Sequence, residues 1–454
     1  MRELISKIQA NLGIQSNRSK NISKHVFWSF VYKGGSIIAN FLLVPLTIKF
    51  LDNENYGIWL TLSSFIAWFT FFDIGLGHGL RNKFAEAKAN EDTELAKGYV
   101  STAYYTIGAI CLVFLALSLI ASYNIDWTKV FNTSNALKDQ LELLMPIVFG
   151  CFGLRLIFTL ITSVYTADQH HSMQGKVSFI IAVGSLFLIW LLTKTAESSL
   201  LFFGAIFSLF PVLILLGLNL YAFSTKYKQF KPQWAYVKKE YFKDIFGLGI
   251  NFFIIQISVI IMFSTDNLII TQLFSPEEVV PYNIAYKYMG ISSMVFTMVL
   301  VPYWSSITVA YVKEEFDWIK NAMKNLIKFA IIAVILIVIM VLIAPYVYKV
   351  WIGNLVIIPI TLTICMAVYF IVTVLYAPFN YFINGIGKIK LHMYSFAIGA
   401  IINIPLSIVL VKYTALGVEG VIIATIICIL PNLILFPVQY IKLINNTATG
   451  IWDK

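Results

Sequence analysis

Arg155 stands near the middle of the apolar run LELLMPIVFGCFGLRLIFTLITSVYT. A guanidinium there is too far from either end of the run to reach bulk water along its own side chain. It has to meet an anion, a carboxylate partner or a water-filled space. Its planar donor fork suits phosphate or carboxylate oxygens, and the bland alternative is a structural ion pair. Gly150 and Gly153 in the same run leave room for a neighbouring helix to approach. Lys33 lies about 8 residues inside an earlier apolar run, roughly 12 Å at helical rise. Gly34 and Gly35 follow it, where the helix is expected to loosen. Lys33 either faces a cavity or snorkels to the surface. Lys287 sits nearer the start of its own run, and Lys49 nearer the end of the first, which favours snorkelling for both. Two carboxylates, Asp73 and Asp266, also fall within apolar runs. Helix capping or local pairing accounts for either. The functional alternative is gating, or coupling to a proton or sodium gradient, because a desolvated carboxyl binds a cation or proton readily.

Other constellations point away from enzyme chemistry. His170 and His171 share a loop with Asp168, but adjacent residues rarely ligate one metal alone, so a solvated loop is expected and no metal site. Four cysteines, Cys111, Cys151, Cys365 and Cys428, all lie in apolar segments, none in a CxxC pair. No phosphate-binding loop, GxSxG, HExxH or dinucleotide fingerprint occurs, so neither a catalytic residue set nor a bound cofactor is expected.

These side chains need elements to hold them, and composition says which. With 59% hydrophobic and only 12% charged residues among 454, and a mean hydropathy of +0.80, nearly the whole chain requires a non-aqueous solvent. An all-α polytopic membrane protein is expected. Segment length and turn clusters place twelve spans, at about 25–50, 57–80, 98–123, 141–166, 176–193, 199–223, 246–271, 281–306, 326–348, 356–380, 391–411 and 419–441. The net charge of +10 would suit a nucleic-acid partner in a soluble protein, but here the cations occupy short loops between spans. Loops on one side carry 24 Lys and Arg and those on the other carry 5. By the positive-inside rule both termini are expected in the cytoplasm.

The resulting organisation is a basic N-terminal segment over 1–24, helices 1–6 over 25–223, a basic cytoplasmic linker over 224–245, helices 7–12 over 246–441 and a cytoplasmic tail over 442–454. Leu4, Ile5, Ile8 and Leu12 give the N-terminal segment the spacing of a surface-lying amphipathic helix or of a solvated tail. An internal echo at an offset of about 225 pairs Ala85, Lys88 and Asp92 with Ala310, Lys313 and Asp317. Two six-helix lobes around a central cavity follow from such a repeat, the geometry of transporters.

Residues 71–92, FFDIGLGHGLRNKFAEAKANED, are more specific than composition. Asp73, Gly75, Leu76, Gly77, Gly79, Leu80, Arg81 and Asn82 resemble the helix-end turn of the polysaccharide flippases. PLTIKFLDNENYGIW, from Pro45 to Trp59, is similar to that family's short outer turn with its Tyr-Gly. The resemblance covers about fifty residues closely and the whole chain in layout. It implies membership of the multidrug, oligosaccharidyl-lipid and polysaccharide exporter superfamily. It also implies a substrate, a polyprenyl-diphosphate-linked oligosaccharide such as an O-antigen or capsule repeat unit. That substrate would be moved by alternating access from the inner to the outer leaflet of the bacterial cytoplasmic membrane. Membrane lipids, a glycan polymerase and chain-length proteins would be its partners. On this reading Arg155, Lys33 and Lys287 attract the diphosphate, while Asp73, Asp266 and Arg81 serve coupling or gating. A drug or metabolite exporter of the same superfamily is the nearest rival, although cationic drugs favour carboxylate-rich cavities. A membrane glycan polymerase is the rival of another class. Its chemistry wants a large outer loop, and the longest outer connection is 124–140.

Overall fold

The computed structural model describes residues 17–67, 76–168, 170, 172–246 and 250–454. Among them the regular structure is helical throughout, as it must be where hydrocarbon leaves backbone groups no partner outside their own segment. In chain order the α-helices of eight residues or more are α1 (Asn17–Ala67), α2 (Leu76–Ala89), α3 (Thr93–Asn124), α4 (Lys138–Ala167), α5 (Ser172–Thr195), α6 (Leu200–Ser224), α7 (Lys239–Phe246), α8 (Ile250–Ser264), α9 (Asp266–Leu273), α10 (Pro276–Val312), α11 (Phe316–Trp351), α12 (Ile360–Ile386), α13 (Lys390–Tyr413), α14 (Glu419–Ile429) and α15 (Asn432–Ile444). Ten stretches of the described residues are long and apolar enough to cross a membrane. The chain is an all-α polytopic membrane protein. The amphipathic N-terminal residues Leu4 to Leu12, and Asp73, lie outside the described residues.

Several expected spans are subdivided, each for a local reason. α1 bends at Asp52, whose backbone is non-helical (φ 69°, ψ 178°). The Asp52 carboxylate accepts from the Asn55 backbone N–H and side chain, both at 2.9 Å, and so caps the helix that resumes beyond it. The expected 246–271 span is interrupted between α8 and α9, where Thr265 Oγ1 donates back to the Ile261 carbonyl at 2.7 Å. The expected final span breaks between α14 and α15 at Leu430 and Pro431, since proline has no N–H to continue the ladder.

The described residues form two compact units. The first draws on Met1–Leu51, Phe72–Trp127 and Asn135–Leu248, and the second on Asp52–Phe71, Thr128–Ser134 and Gly249–Lys454. In the first, α4 is central, packing on both α3 and α6. Residues 224–245, read from sequence as a connection, are docked: Gln233 N–H donates to Ser101 Oγ at 3.1 Å, and Lys238 N–H to Thr102 Oγ1 at 3.3 Å. In the second, α12 packs on α10 and α11, and α13 on α8 and α14. The part of α1 beyond Asp52 joins this second unit through buried polar contacts. Thr61 Oγ1 and Thr271 Oγ1 lie 2.7 Å apart, and Asn267 Nδ2 donates to Ser64 Oγ at 2.7 Å.

The two loops of the echo share a turn at an offset of 223, which aligns Lys88 with Tyr311 and Asp92 with Glu315 and so does not pair the residues of the echo itself. Glu91 and Glu314 both take positive φ, 59° and 58°. Around them three backbone hydrogen bonds recur in register. Glu91 to Lys88, Asp92 to Ala87 and Thr93 to Glu91 match Glu314 to Tyr311, Glu315 to Ala310 and Phe316 to Glu314. A left-handed residue with the first two of these bonds also stands at Asn132 and Asn446, so the turn is a common way of ending a helix.

Candidate functional site

Arg155 projects from α4 in the first unit, and its residue is exposed. Its guanidinium makes neither a hydrogen bond nor an ion pair with any described residue, which removes the structural ion pair within that set. One turn on stands Thr159, followed by Thr162, Ser163 and Thr166, so a polar stripe runs from Arg155 along one face to the end of α4. The threonine hydroxyls are satisfied by their own helix: Thr159 donates to the Arg155 carbonyl at 2.7 Å and Thr166 to the Thr162 carbonyl at 2.7 Å. A cation left without a carboxylate, on a polar face of a membrane helix, belongs against water or an anionic ligand. Gly153 admits α3, with a Cβ there lying 3.5 Å from Cys111 Cβ, an ordinary contact.

Lys33 is also exposed, in α1 of the first unit, and shares a face with Ser36 and Asn40. The helix does not loosen after it: α1 is continuous through Gly34 and Gly35. Gly35 instead admits the Phe179 ring of α5, which would lie 2.4 Å from a Cβ. Lys287 is in the second unit and has a partner. Its Nζ donates to Tyr56 Oη at 3.3 Å and stands 6.0 Å from that ring's centre. The three cations that the sequence grouped thus have different surroundings, two with no partner among the described residues and one held by a buried phenol.

Asp266 opens α9 at the break that follows α8, buried to 4% exposure. Tyr282 Oη donates to Oδ2 at 2.6 Å, while Oδ1 is buried with no hydrogen-bond partner among the described residues. A carboxyl at an interrupted membrane helix, with one oxygen engaged and one open, is equipped to take a proton or a small cation. Asn267 beside it accepts from Asn283 Nδ2 at 2.8 Å. On α13, Asn403 Oδ1 and Ser407 Oγ are likewise buried without partners. Sequence reading missed Tyr282 and Asn403; the available signal was an amide or phenol inside an apolar span.

Arg81 lies exposed on α2, whose other face buries Leu80, Phe84 and Ala87. The motif glycine beside it has a definite task. A Cβ at Gly79 would lie 2.0 Å from the Ile245 carbonyl oxygen, so only glycine lets α2 seat against the backbone at the end of α7. Gly57, from the second resembling stretch, is the same case: its Cβ would lie 1.8 Å from the Pro276 carbonyl oxygen.

The His170 loop is built around Asp168. Lys88, from α2, and Lys226, just beyond α6, both pair with its carboxylate, Lys226 at 2.6 Å, and Tyr227 Oη donates to it at 2.9 Å. Lys226 also contacts His170 Nε2. His171 lies outside the described residues. Burial alone would raise the Asp168 carboxyl, but the bonds from Lys226, Lys88 and Tyr227 outweigh it and hold the group down at about 2. Because the folded value lies below the ordinary 3.8, the clasp stabilises fully above pH 4 and is lost as pH falls toward 2. Asp168→Asn is expected to lower stability at pH 7 by about 1–2 kcal/mol, the half-exposed lysines being screened by water. Thermal unfolding at pH 7 and at pH 2.5 checks it, with the penalty shrinking at the lower pH.

Known proteins place this arrangement. A structure titled as the inward-facing conformation of a multidrug resistance MATE family transporter of the MOP superfamily aligns with a TM-score of 0.76 at 16% identity. It covers 91% of this chain and 96% of that one. The outward-facing conformation of such a transporter gives 0.67 at 15%, covering 95% and 97%. These likenesses show the fold. Among sequence relatives, a Yersinia pseudotuberculosis protein named as an O-antigen export protein is 24% identical over 377 residues, 78% of this chain and 81% of its own length. A Salmonella typhimurium protein named as an O-antigen transporter is 23% identical over 284 residues, and the match spans 64% of that relative's length. The polysaccharide biosynthesis protein family model matches residues 22–308, from the first apolar helix through most of α10 and so across Arg155, Gly57 and Gly79. The chain belongs to that family.

Proposed function

We propose that this protein moves a polyprenyl-diphosphate-linked oligosaccharide, an O-antigen, capsule or similar repeat unit, from the inner to the outer leaflet of the bacterial cytoplasmic membrane. The observation that carries the reading is Arg155: an unpaired guanidinium within a membrane helix, continued by a hydroxyl stripe along the same face. Such a stripe offers a charge-assisted anchor for a diphosphate and hydrogen-bonding partners for sugar hydroxyls, while the polyprenyl tail stays in lipid. Lys33, also exposed in a membrane helix of the first unit, shares the anionic load. The names of the Yersinia and Salmonella relatives point to the same substrate class. In a strain lacking its own O-antigen transporter, this protein is expected to restore surface glycan. Lipid-linked units that keep accumulating inside the cell would overturn the reading.

Alternating access needs an energy source, and Asp266 supplies a coupling group. Its unpartnered Oδ1 takes the proton or sodium ion. Asp266→Asn keeps the Tyr282 hydrogen bond but removes the charge. It is expected to leave insertion intact and to abolish the dependence of transport on an imposed ion gradient. A variant whose transport responds to both gradients as wild type does would dismiss Asp266.

The twelve-span layout, with both termini in the cytoplasm, belongs to the same proposal. Reporter fusions after Gly353 and after Lys388, on either side of α12, are expected to report opposite sides of the membrane. Reports from one side would break that topology.

A further inference from the structure

An apolar pocket of about 510 Å³ opens on the first unit, apart from Arg155. Tyr105, Gly108 and Leu112 of α3 line it, with Ile157 of α4 and with Pro232 and Trp234 of the docked segment after α6. Ile157 is two residues beyond Arg155, about 200° round the helix, so the pocket and the guanidinium occupy opposite faces of α4. Beyond the pocket α3 continues as bare hydrocarbon: Leu112, Val113 and Leu117 are 69%, 61% and 61% exposed. Such a surface on a membrane helix is made for acyl chains. Trp234, 71% exposed, stacks edge-on to Tyr105 with ring centres 5.1 Å apart, an aromatic of the kind that sits at headgroup level.

The charge at one end of this pocket identifies what fills it. Lys97, Ser101, Tyr105, Gly108 and Leu112 fall on one stripe of α3, with Ser101 covered by the Gln233 N–H of the docked segment and the apolar pocket beginning one turn further on at Tyr105. Lys97 Nζ is 4.1 Å from the centre of the Tyr236 ring, which fixes the ammonium beside the docked segment. Lys231, exposed, immediately precedes the lining residue Pro232. Glu94 is the nearest acid on α3, one turn before the stripe begins, and leaves the pair of lysines in excess.

We propose that this pocket holds one acyl chain of an anionic phospholipid, with the phosphate between Lys97 and Lys231. The bound lipid fastens the segment after α6 to α3. The site neither uses Arg155 nor depends on what the protein transports.

The test uses the full-length protein, purified from membranes and equilibrated with mixed phosphatidylglycerol and phosphatidylethanolamine micelles, with retained lipid read by native mass spectrometry. Wild-type protein is expected to keep phosphatidylglycerol selectively. The double variant Lys97→Gln, Lys231→Gln is expected to lose about fivefold in that preference for each lysine removed. Gly108→Leu projects into open space, since a Cβ there meets nothing within 4 Å, and it is expected to expel the lipid of either headgroup. An unchanged preference in the lysine variant, or full lipid retention in a folded Gly108→Leu protein, overturns the proposal. Displacement of the phosphatidylglycerol by a polyprenyl phosphate also overturns it, by assigning the pocket to a substrate tail. Lys97 is half-buried against Tyr236 and Lys231 is exposed, so the lysine variant removes no packed core side chain and decides the matter even where the leucine variant fails to fold.

Discussion

Arg155→Ala is expected to insert and fold as wild type does, and to export almost no glycan. The guanidinium bonds to no described residue, so its removal strands no carboxylate and opens no buried hole in the packing of α4. What disappears is the one charge on the polar stripe. Truncating one partner of a desolvated charge pair costs about 3 kcal/mol, near a hundredfold in the equilibrium it serves. Arg155→Lys keeps the charge but loses the two-pronged geometry, and is expected to fall between, at about a tenfold loss. Export per molecule of inserted protein is the quantity to measure. Normal export by the alanine variant at matched levels would remove Arg155 from the mechanism.

The second large effect is on folding. Gly57→Ala and Gly79→Ala each add only a methyl group, yet it would fall 1.8 Å and 2.0 Å from a backbone carbonyl oxygen. Backbone cannot swing aside as a side-chain tip does, so the helices must part, at about 3 kcal/mol or more. Both variants are expected to accumulate poorly and to unfold at clearly lower temperature. Gly153→Ala is the control: its methyl would sit 3.5 Å from Cys111 Cβ, and alanine favours the helix over glycine, so a neutral or slightly stabilising change is expected. Wild-type unfolding temperatures for Gly57→Ala and Gly79→Ala would show that these approaches are looser than they stand.

Much of the helical layout could be read from sequence because hydrocarbon imposes length and apolarity on every crossing. The break after the first span was legible in DNEN, and Asp52 makes it with a left-handed residue and its own cap. Arg155 was legible for the same reason, as a charge where none is cheap. The partners of polar groups were not. Asp168 meets Lys88 and Lys226, which are 80 and 58 positions away, and no local pattern announces that clasp. The resembling motifs were visible as strings, but the reason for their glycines lies in Ile245 and Pro276, more than 160 residues further along the chain. The segment 224–245 read as a plain linker because its lysines dominate. Its docking depends on Ser101 and Thr102, two hydroxyls in another helix.

The central claim is that this protein carries a lipid-linked, diphosphate-bearing glycan across the bilayer by way of Arg155. The direct measurement is the leaflet accessibility of a labelled polyprenyl-diphosphate oligosaccharide in proteoliposomes, followed for wild type, Arg155→Ala and empty liposomes. Rapid appearance in the opposite leaflet with wild type, and near-background rates in the other two, is the predicted result. Equal rates in all three, with drug efflux or glycan polymerisation in the same vesicles, would contradict it and hand the chain to one of its rivals.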